Sequence, residues 1–220
     1  MGIIFEYDYE VGTSLRYEHT THLLFEAPGS DPVVGRATYE QLEDALAETQ
    51  GGTFTVEVTK QLLSSEGPLA ADIPPELSRQ VKQIRIDRSG RCYEAPEALP
   101  TRLTFPVEPI EVGASWSNNL PGPEGVAEPI AFTFMVERIE QKGDDALGYF
   151  VWLGSGAGKD ESGPFKVDIS GTSTFSVTQG CQVASQTVAS TTWESGNRSQ
   201  AVVELKLLER TTLSLAGYEA

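Results

Sequence analysis

The chain has 220 residues, enough for one well-buried domain, and 39% of them are hydrophobic, with 9 Phe, 7 Tyr and 3 Trp, which excludes wholesale disorder. Thirty-two acidic against 16 basic side chains give a net charge of −16, a field that repels phosphate backbones and anionic membranes and argues against nucleic acid as a partner. No apolar run approaches the ~20 residues of a transmembrane helix, and Met1-Gly2-Ile3-Ile4 shows no signal peptide. As written the chain reads as soluble, leaderless and cytoplasmic, or as extracytoplasmic if a leader has been removed.

The first element is FEYDYE. Phe5, Tyr7, Tyr9 and Val11 alternate with Glu6, Asp8 and Glu10, the period of a half-buried strand. Acids at every second position fit either the wet face of that strand or a comb for a cation. Strand signals continue over Ser14 to Glu26, which contains His19 and His22, the two histidines of the chain. A separation of three puts them on opposite faces of a strand, which argues against zinc.

The segment ATYEQLEDALAETQGG breaks the pattern. Thr38 stands in a capping position with Gln41 three residues on, Tyr39, Leu42 and Leu46 share a helical face, and Gly51 is a stop. This predicts one short helix over Tyr39 to Thr49, covering a mouth or edge of the sheet. Strands follow over Thr53 to Leu63 and Val81 to Asp87. ALPTRLTFPVEP reads as a linker, and further strands are expected over Ala131 to Glu140, Gly148 to Leu153, Phe165 to Val177, Gln182 to Glu194 and Gln200 to Arg210. Gly, Pro, Ser and Asp clusters such as APGSDP, PGPEG and KGDD separate them, as in an antiparallel meander.

Three phrases echo in the same order: EVGTS from Glu10 and EVGAS from Glu111, FTVEVTK from Phe54 and FTFMVER from Phe132, and IDRSGRC and SVTQGC ending at Cys92 and Cys181. A duplicated β unit with halves 1–108 and 109–220 accounts for that order. Cys92 and Cys181 are the only cysteines; matching positions in related halves fit a disulfide, whereas two buried thiols fit equally well.

Chemistry is sparse. LGSGAGKDESG lacks the Gly and the Ser or Thr of a phosphate loop and reads as a flexible hairpin tip. No G-x-S-x-G elbow occurs. Glu6, Asp8, Glu10, Glu124, Glu128, Asp144, Asp145, Asp160 and Glu161 show no spacing that selects a catalytic pair, and the loop acids lack EF-hand spacing. No catalytic residue, cofactor or metal ligand is therefore assigned. Asn197-Arg198-Ser199 is a sequon in a predicted turn.

LPTRLTFPVEPIEVGASWSNNLP, with Pro109, Val112, Gly113, Ser115 and Trp116 at the key positions and YEVGTSLRY as an echo, resembles a pattern of uncharacterised bacterial all-β domains. The resemblance implies an exported or lipid-anchored setting and brings no catalytic residues. The expected fold is mainly β: an antiparallel meander forming a curved sheet, open barrel or sandwich, with one short helix. By fold-level analogy this is similar to bacterial lipoprotein carriers, whose concave face suggests an apolar pocket.

The function expected is a non-enzymatic binding or scaffold domain for an apolar small molecule or a protein partner. A hydrolase using loop carboxylates on a sugar or ester and a self-assembling structural protein are the alternatives. Tyr7, Tyr9, Tyr17, Trp116, Phe134 and Trp152 are the candidate pocket residues, with Phe5, Leu15, Phe132 and Phe150 expected to fill the core around them.

Overall fold

Backbone hydrogen bonding organises the described residues into ten strands: β1 (Thr13–Glu26), β2 (Val33–Glu48), β3 (Thr53–Glu66), β4 (Arg79–Asp87), β5 (Ser115–Leu120), β6 (Ile130–Lys142), β7 (Asp145–Asp160), β8 (Gly163–Ser176), β9 (Cys181–Trp193) and β10 (Arg198–Thr212). The structure is a computed structural model that describes residues 2–71, 75–94, 102–120, 125, 126 and 128–213. All ten strands lie in one antiparallel sheet, ordered β4-β3-β2-β1-β10-β9-β8-β7-β6-β5. Two meanders thus meet where β1 pairs with β10, from Thr13 opposite Thr212 to Glu26 opposite Arg198.

The sheet is not closed, but its edges approach one another. Laid flat, β4 and β5 would be ~43 Å apart, nine spacings of ~4.8 Å. Yet the Phe105 N–H donates to Ser89 O at 2.7 Å, just past β4, and its ring lies 6.3 Å from that of Trp116 on β5. One residue spans the gap, so the sheet curls into an open barrel.

Two straps cross that barrel. The first is FEYDYE, which does not join the sheet: Tyr7 N donates to Arg88 O (2.8 Å), Asp8 N to Gly180 O (2.9 Å) and Gly12 N to Ala45 O (2.9 Å). Its alternation holds, with Phe5, Tyr7 and Tyr9 buried and Glu6, Asp8 and Glu10 exposed. The second is residues 102–110 of the β4–β5 connection, whose Leu103, Phe105 and Ile110 are buried. Ile3 and Ile110 exchange backbone hydrogen bonds of 2.9 and 2.8 Å and join the straps to each other. Both occupy the end of the barrel that holds the β2–β3 and β8–β9 turns.

The expected helix over Tyr39 to Thr49 does not form; Tyr39 to Glu48 belong to β2. Hydrogen bonding to β1 on one side and β3 on the other overrides the helix propensity of Ala, Leu, Glu and Gln. Gln41 and Glu43 stand at inward, buried positions, and this hid the alternation. Among the described residues the helices are α1 (Pro68–Ala71) and α2 (Pro75–Ser78), between β3 and β4, so a strap covers the mouth in place of the predicted helix. LGSGAGKDESG is likewise no flexible tip: Leu153 to Asp160 continue β7. Its inward glycines make room for rings, since a Cβ on Gly154 would stand 2.7 Å from the Phe132 ring.

The repeated E-V-G phrase is a repeated turn. Gly12 and Gly113 have φ of 86° and 84°, which favours glycine, and Thr13 N and Ala114 N donate to Glu10 O and Glu111 O, each at 3.0 Å. Gly12 N bonds Ala45 O and Gly113 N bonds Val136 O, each carbonyl beside a bulge in the partner strand. FTVEVTK and FTFMVER instead fall in β3 and β6, which stand at different places after those turns. The turns support the proposal of related halves 1–108 and 109–220; the middle phrase does not.

Candidate functional site

At the strap end the inner face is filled by rings. Phe175 of β8 packs against Phe105 (4.9 Å), Tyr7 (5.0 Å) and Phe5 (6.1 Å), and Tyr9 reaches Phe54 of β3 at 5.7 Å. A Cβ on Gly148 would stand 2.4 Å from the Phe5 ring, so glycine is required there for the strap to seat.

A buried polar network ties both straps to the sheet. Glu43 of β2 accepts Tyr9 Oη at 2.5 Å, Arg102 Nη2 at 2.6 Å and Gln41 Nε2 at 2.9 Å. Arg102 also donates to the Tyr9 hydroxyl, and its guanidinium lies 4.7 Å over the Tyr7 ring. The Glu43 and Arg102 side chains are 1% and 9% exposed. Burial pushes the Tyr7, Tyr9 and Tyr17 hydroxyls above the ordinary phenol range, so all three stay neutral.

Beyond the straps the inner face changes character. Moving toward the other end, Thr21 pairs with Val203 and Ala37, and Leu23 with Ala201 and Gly35. Val203 faces Thr187 and Ala201 faces Ala189 across β10 and β9, while Thr187 and Ala189 face Gly171 and Ile169 of β8. Small side chains dominate, and Leu23, Ile169, Ala189, Ala201 and Val203 are only half-buried. Phe25, Trp193 and Phe165 close the far end as an aromatic cluster, with ring centroids 6.5 and 5.9 Å apart.

His19 marks the border. It is 6% exposed, whereas His22 is on the outer face, as the spacing predicts. Its Nε2 is 3.3 Å from Thr21 Oγ1 and 3.5 Å from Lys60 Nζ, and its ring lies 5.6 Å from that of Tyr39. Burial, then the Lys60 charge, lowers His19 from 6.5 to about 3, and burial lowers Lys60 to about 8. Only the unfolded chain takes up this proton between 6.5 and about 3. That contribution to stability is therefore present above the window and lost as pH falls through it. His19→Gln is expected to flatten the fall in unfolding free energy across that window by about 1–3 kcal/mol, read from urea titrations at several pH values; identical slopes in both proteins would exclude His19 as the cause.

All six candidate pocket residues belong to, or pack on, one core cluster. Tyr7 and Tyr9 are in the first strap, Tyr17 is on β1, and Trp116 stacks on Phe134 at 5.7 Å. Trp152 packs edge-on against Phe132 at 5.7 Å. They fill the strap end and flank the open half. Cys92 and Cys181 are not bridged to each other: Cys92, half-buried after β4, donates its thiol to Glu94 O at 3.0 Å, and Cys181 is buried at the start of β9.

The candidate acids do turn work instead. Asp145 accepts Ser176 Oγ at 2.6 Å and Thr178 N at 2.9 Å, and Asp160 accepts Trp193 Nε1 at 3.0 Å. Glu10 and Glu111 are exposed turn residues, and Glu124 lies outside the described residues. Glu43, Arg102 and the small inward residues of β8 to β10 were not singled out from the sequence. VASQTVAS gave no signal for the latter, since apolar and polar residues are mixed on both of its faces.

No family model matches the chain, and no curated protein matches it. Among solved structures, a lipovitellin chain from a study of lipid–protein interactions in that protein aligns at TM-score 0.55 and 11% identity, covering 97% of this chain and 27% of that one. The likeness is one of fold. This chain spans about a quarter of the length of the lipovitellin chain it matches. A putative exported protein with a YmcC-like fold from Bacteroides fragilis NCTC 9343 aligns at TM-score 0.27 and 10% identity, over 94% of this chain and 100% of that one. A LolA superfamily protein from Nitrosomonas europaea aligns at 0.23 and 12%, over 88% and 86%. These last two superpose too loosely to bear on the fold. Among the described residues no helix is long and apolar enough to cross a membrane.

Proposed function

We propose that the protein is a non-enzymatic binding domain that holds an elongated apolar ligand, an acyl chain, along the open half of its inner face. The observation that carries this reading is the contrast between the two halves of one face. Rings and straps fill the first half, while Gly35, Ala37, Ala189 and Ala201 present small side chains in the second beside half-buried Leu23, Ile169 and Val203. A concave, mostly apolar surface with few polar groups is the usual form of such a site. The fold likeness to lipovitellin, in which lipid–protein interactions were studied, points the same way.

Ala201 and Ala189 face each other at the centre of that half. Ala201→Trp is expected to fill it and weaken binding of a pyrene-labelled fatty methyl ester at least about tenfold, or about 1.4 kcal/mol. Fluorescence titration reads the effect, with an unchanged near-UV spectrum as the folding control. Equal binding by both proteins would place the chain elsewhere and sink the reading.

A further inference from the structure

Four polar side-chain atoms converge on one patch of the inner face with no hydrogen-bond partner among the described residues. They are Trp152 Nε1, Ser173 Oγ, Ser185 Oγ and Thr187 Oγ1. Their residues are 6%, 3%, 7% and 8% exposed, so all four are more than nine-tenths buried.

The register explains the convergence. Ser173 of β8 is directly opposite Ser185 of β9, and Gly171, two residues along the same face, is opposite Thr187. Trp152 of β7 pairs with Gly171 from the other side. A Cβ on Gly171 would stand 2.3 Å from Trp152 Cζ2 and 2.5 Å from its Cε2, so the edge of the indole that carries Nε1 lies over Gly171. Directly opposite residues have Cβ atoms ~5 Å apart, which brings the N–H and the three hydroxyls together on one patch across β7, β8 and β9. Buried hydroxyls usually pair across strands or with backbone, and a set that does not calls for a partner.

We infer that this patch receives the polar head of the acyl ligand, and that the head is an uncharged hydrogen-bond acceptor such as an ester or amide carbonyl. The inference rests on the reading of the open half as an acyl site and adds the chemistry of the ligand's end. The indole N–H donates only, and each hydroxyl can donate, so an acceptor fits all four. The inward positions of β8 and β9, with Phe150 and Trp152 of β7 and Val203 and Leu205 of β10, carry no charge. A carboxylate there would be buried without a counter-ion and is disfavoured. The chain then runs from the patch past Ile169, Ala189 and Ala201 toward Phe25 and Trp193.

Three pyrene-labelled chains of equal length test this: a fatty methyl ester, the same chain ending in a plain methyl group, and the free acid above its pKa. The wild-type protein is expected to bind the ester more tightly than the other two. The triple variant Ser173→Ala/Ser185→Ala/Thr187→Val should bind the ester about thirtyfold more weakly and the methyl-ended chain unchanged. It should melt no lower than wild type, because its lost hydroxyls have no partner among the described residues; a clearly lower melting temperature would assign them a structural role. The Trp152 indole N–H resonance should shift on adding ester and not on adding the methyl-ended chain.

Equal affinity of wild type for ester and methyl-ended chains, or of wild type and triple variant for the ester, would overturn the head site while leaving the acyl site standing. Tighter binding of the free acid would overturn the uncharged head. If no labelled chain binds wild type, the acyl site itself fails, and the head site with it.

Discussion

Deleting residues 2–10 is expected to abolish cooperative unfolding. Phe5, Tyr7 and Tyr9 are 1%, 0% and 3% exposed, and they are the inner half of ring contacts to Phe54, Phe105, Phe150 and Phe175. Removing a buried aromatic side chain costs roughly 3–5 kcal/mol including the cavity left behind. Three together amount to roughly 9–15 kcal/mol, comparable with the whole ~5–15 kcal/mol stability of a domain. The Asp8–Gly180 and Tyr7–Arg88 backbone hydrogen bonds go as well. Strand content should persist by far-UV circular dichroism while the near-UV signal disappears. A sharp urea transition near that of the full chain would show that the strap is dispensable.

Arg102→Met is expected to destabilise by about 3–5 kcal/mol. The loss comes mainly from what stays behind: Glu43 keeps its buried carboxylate but loses a 2.6 Å ion pair, and Tyr9 loses a donor. Glu43→Leu alone should cost a similar amount by leaving the guanidinium unpaired. The double variant should lose clearly less than the sum, because two apolar side chains replace two mutually dependent charges. Additive losses in a urea double-mutant cycle would mean that the two groups act independently, which the geometry contradicts. The network contributes registration: one carboxylate fixes where two separate segments cross the barrel.

The all-β class and most strand positions were legible because β1, β3, β6 and β8 to β10 bury one face and alternate accordingly. β2 was not, because its inward face carries Gln41 and Glu43, and their value lies in Arg102 and Tyr9, remote in sequence. β5 was not legible from alternation, because Ser115 to Leu120 is short and mostly polar, with only Trp116 and Leu120 as inward apolar residues; the V-G-x-S-W resemblance alone marked a strand start there. FEYDYE was read correctly as to faces and wrongly as to partner, since alternation reports which side is dry and not what it packs against. The aromatic candidates all belong to or pack on one core cluster, where large rings are easiest to see in a sequence. The hydroxyl patch was hidden for the opposite reason: Ser173, Ser185 and Thr187 look like wet strand residues until pairing sets them opposite one another under Trp152.

The seam between β1 and β10 bears on how the chain matures during synthesis. β1 leaves the ribosome first of the ten strands, but its second neighbour is the last of the ten, so half of its edge has no hydrogen-bond partner until the other eight exist. At ~5–20 residues per second that wait lasts on the order of ten seconds or more. Such long-range closure is slow in any barrel. The outward side of β1 meanwhile offers Arg16, Glu18, His22 and Glu26 in place of a continuous apolar row. Those charges guard the open edge against premature pairing with another nascent chain.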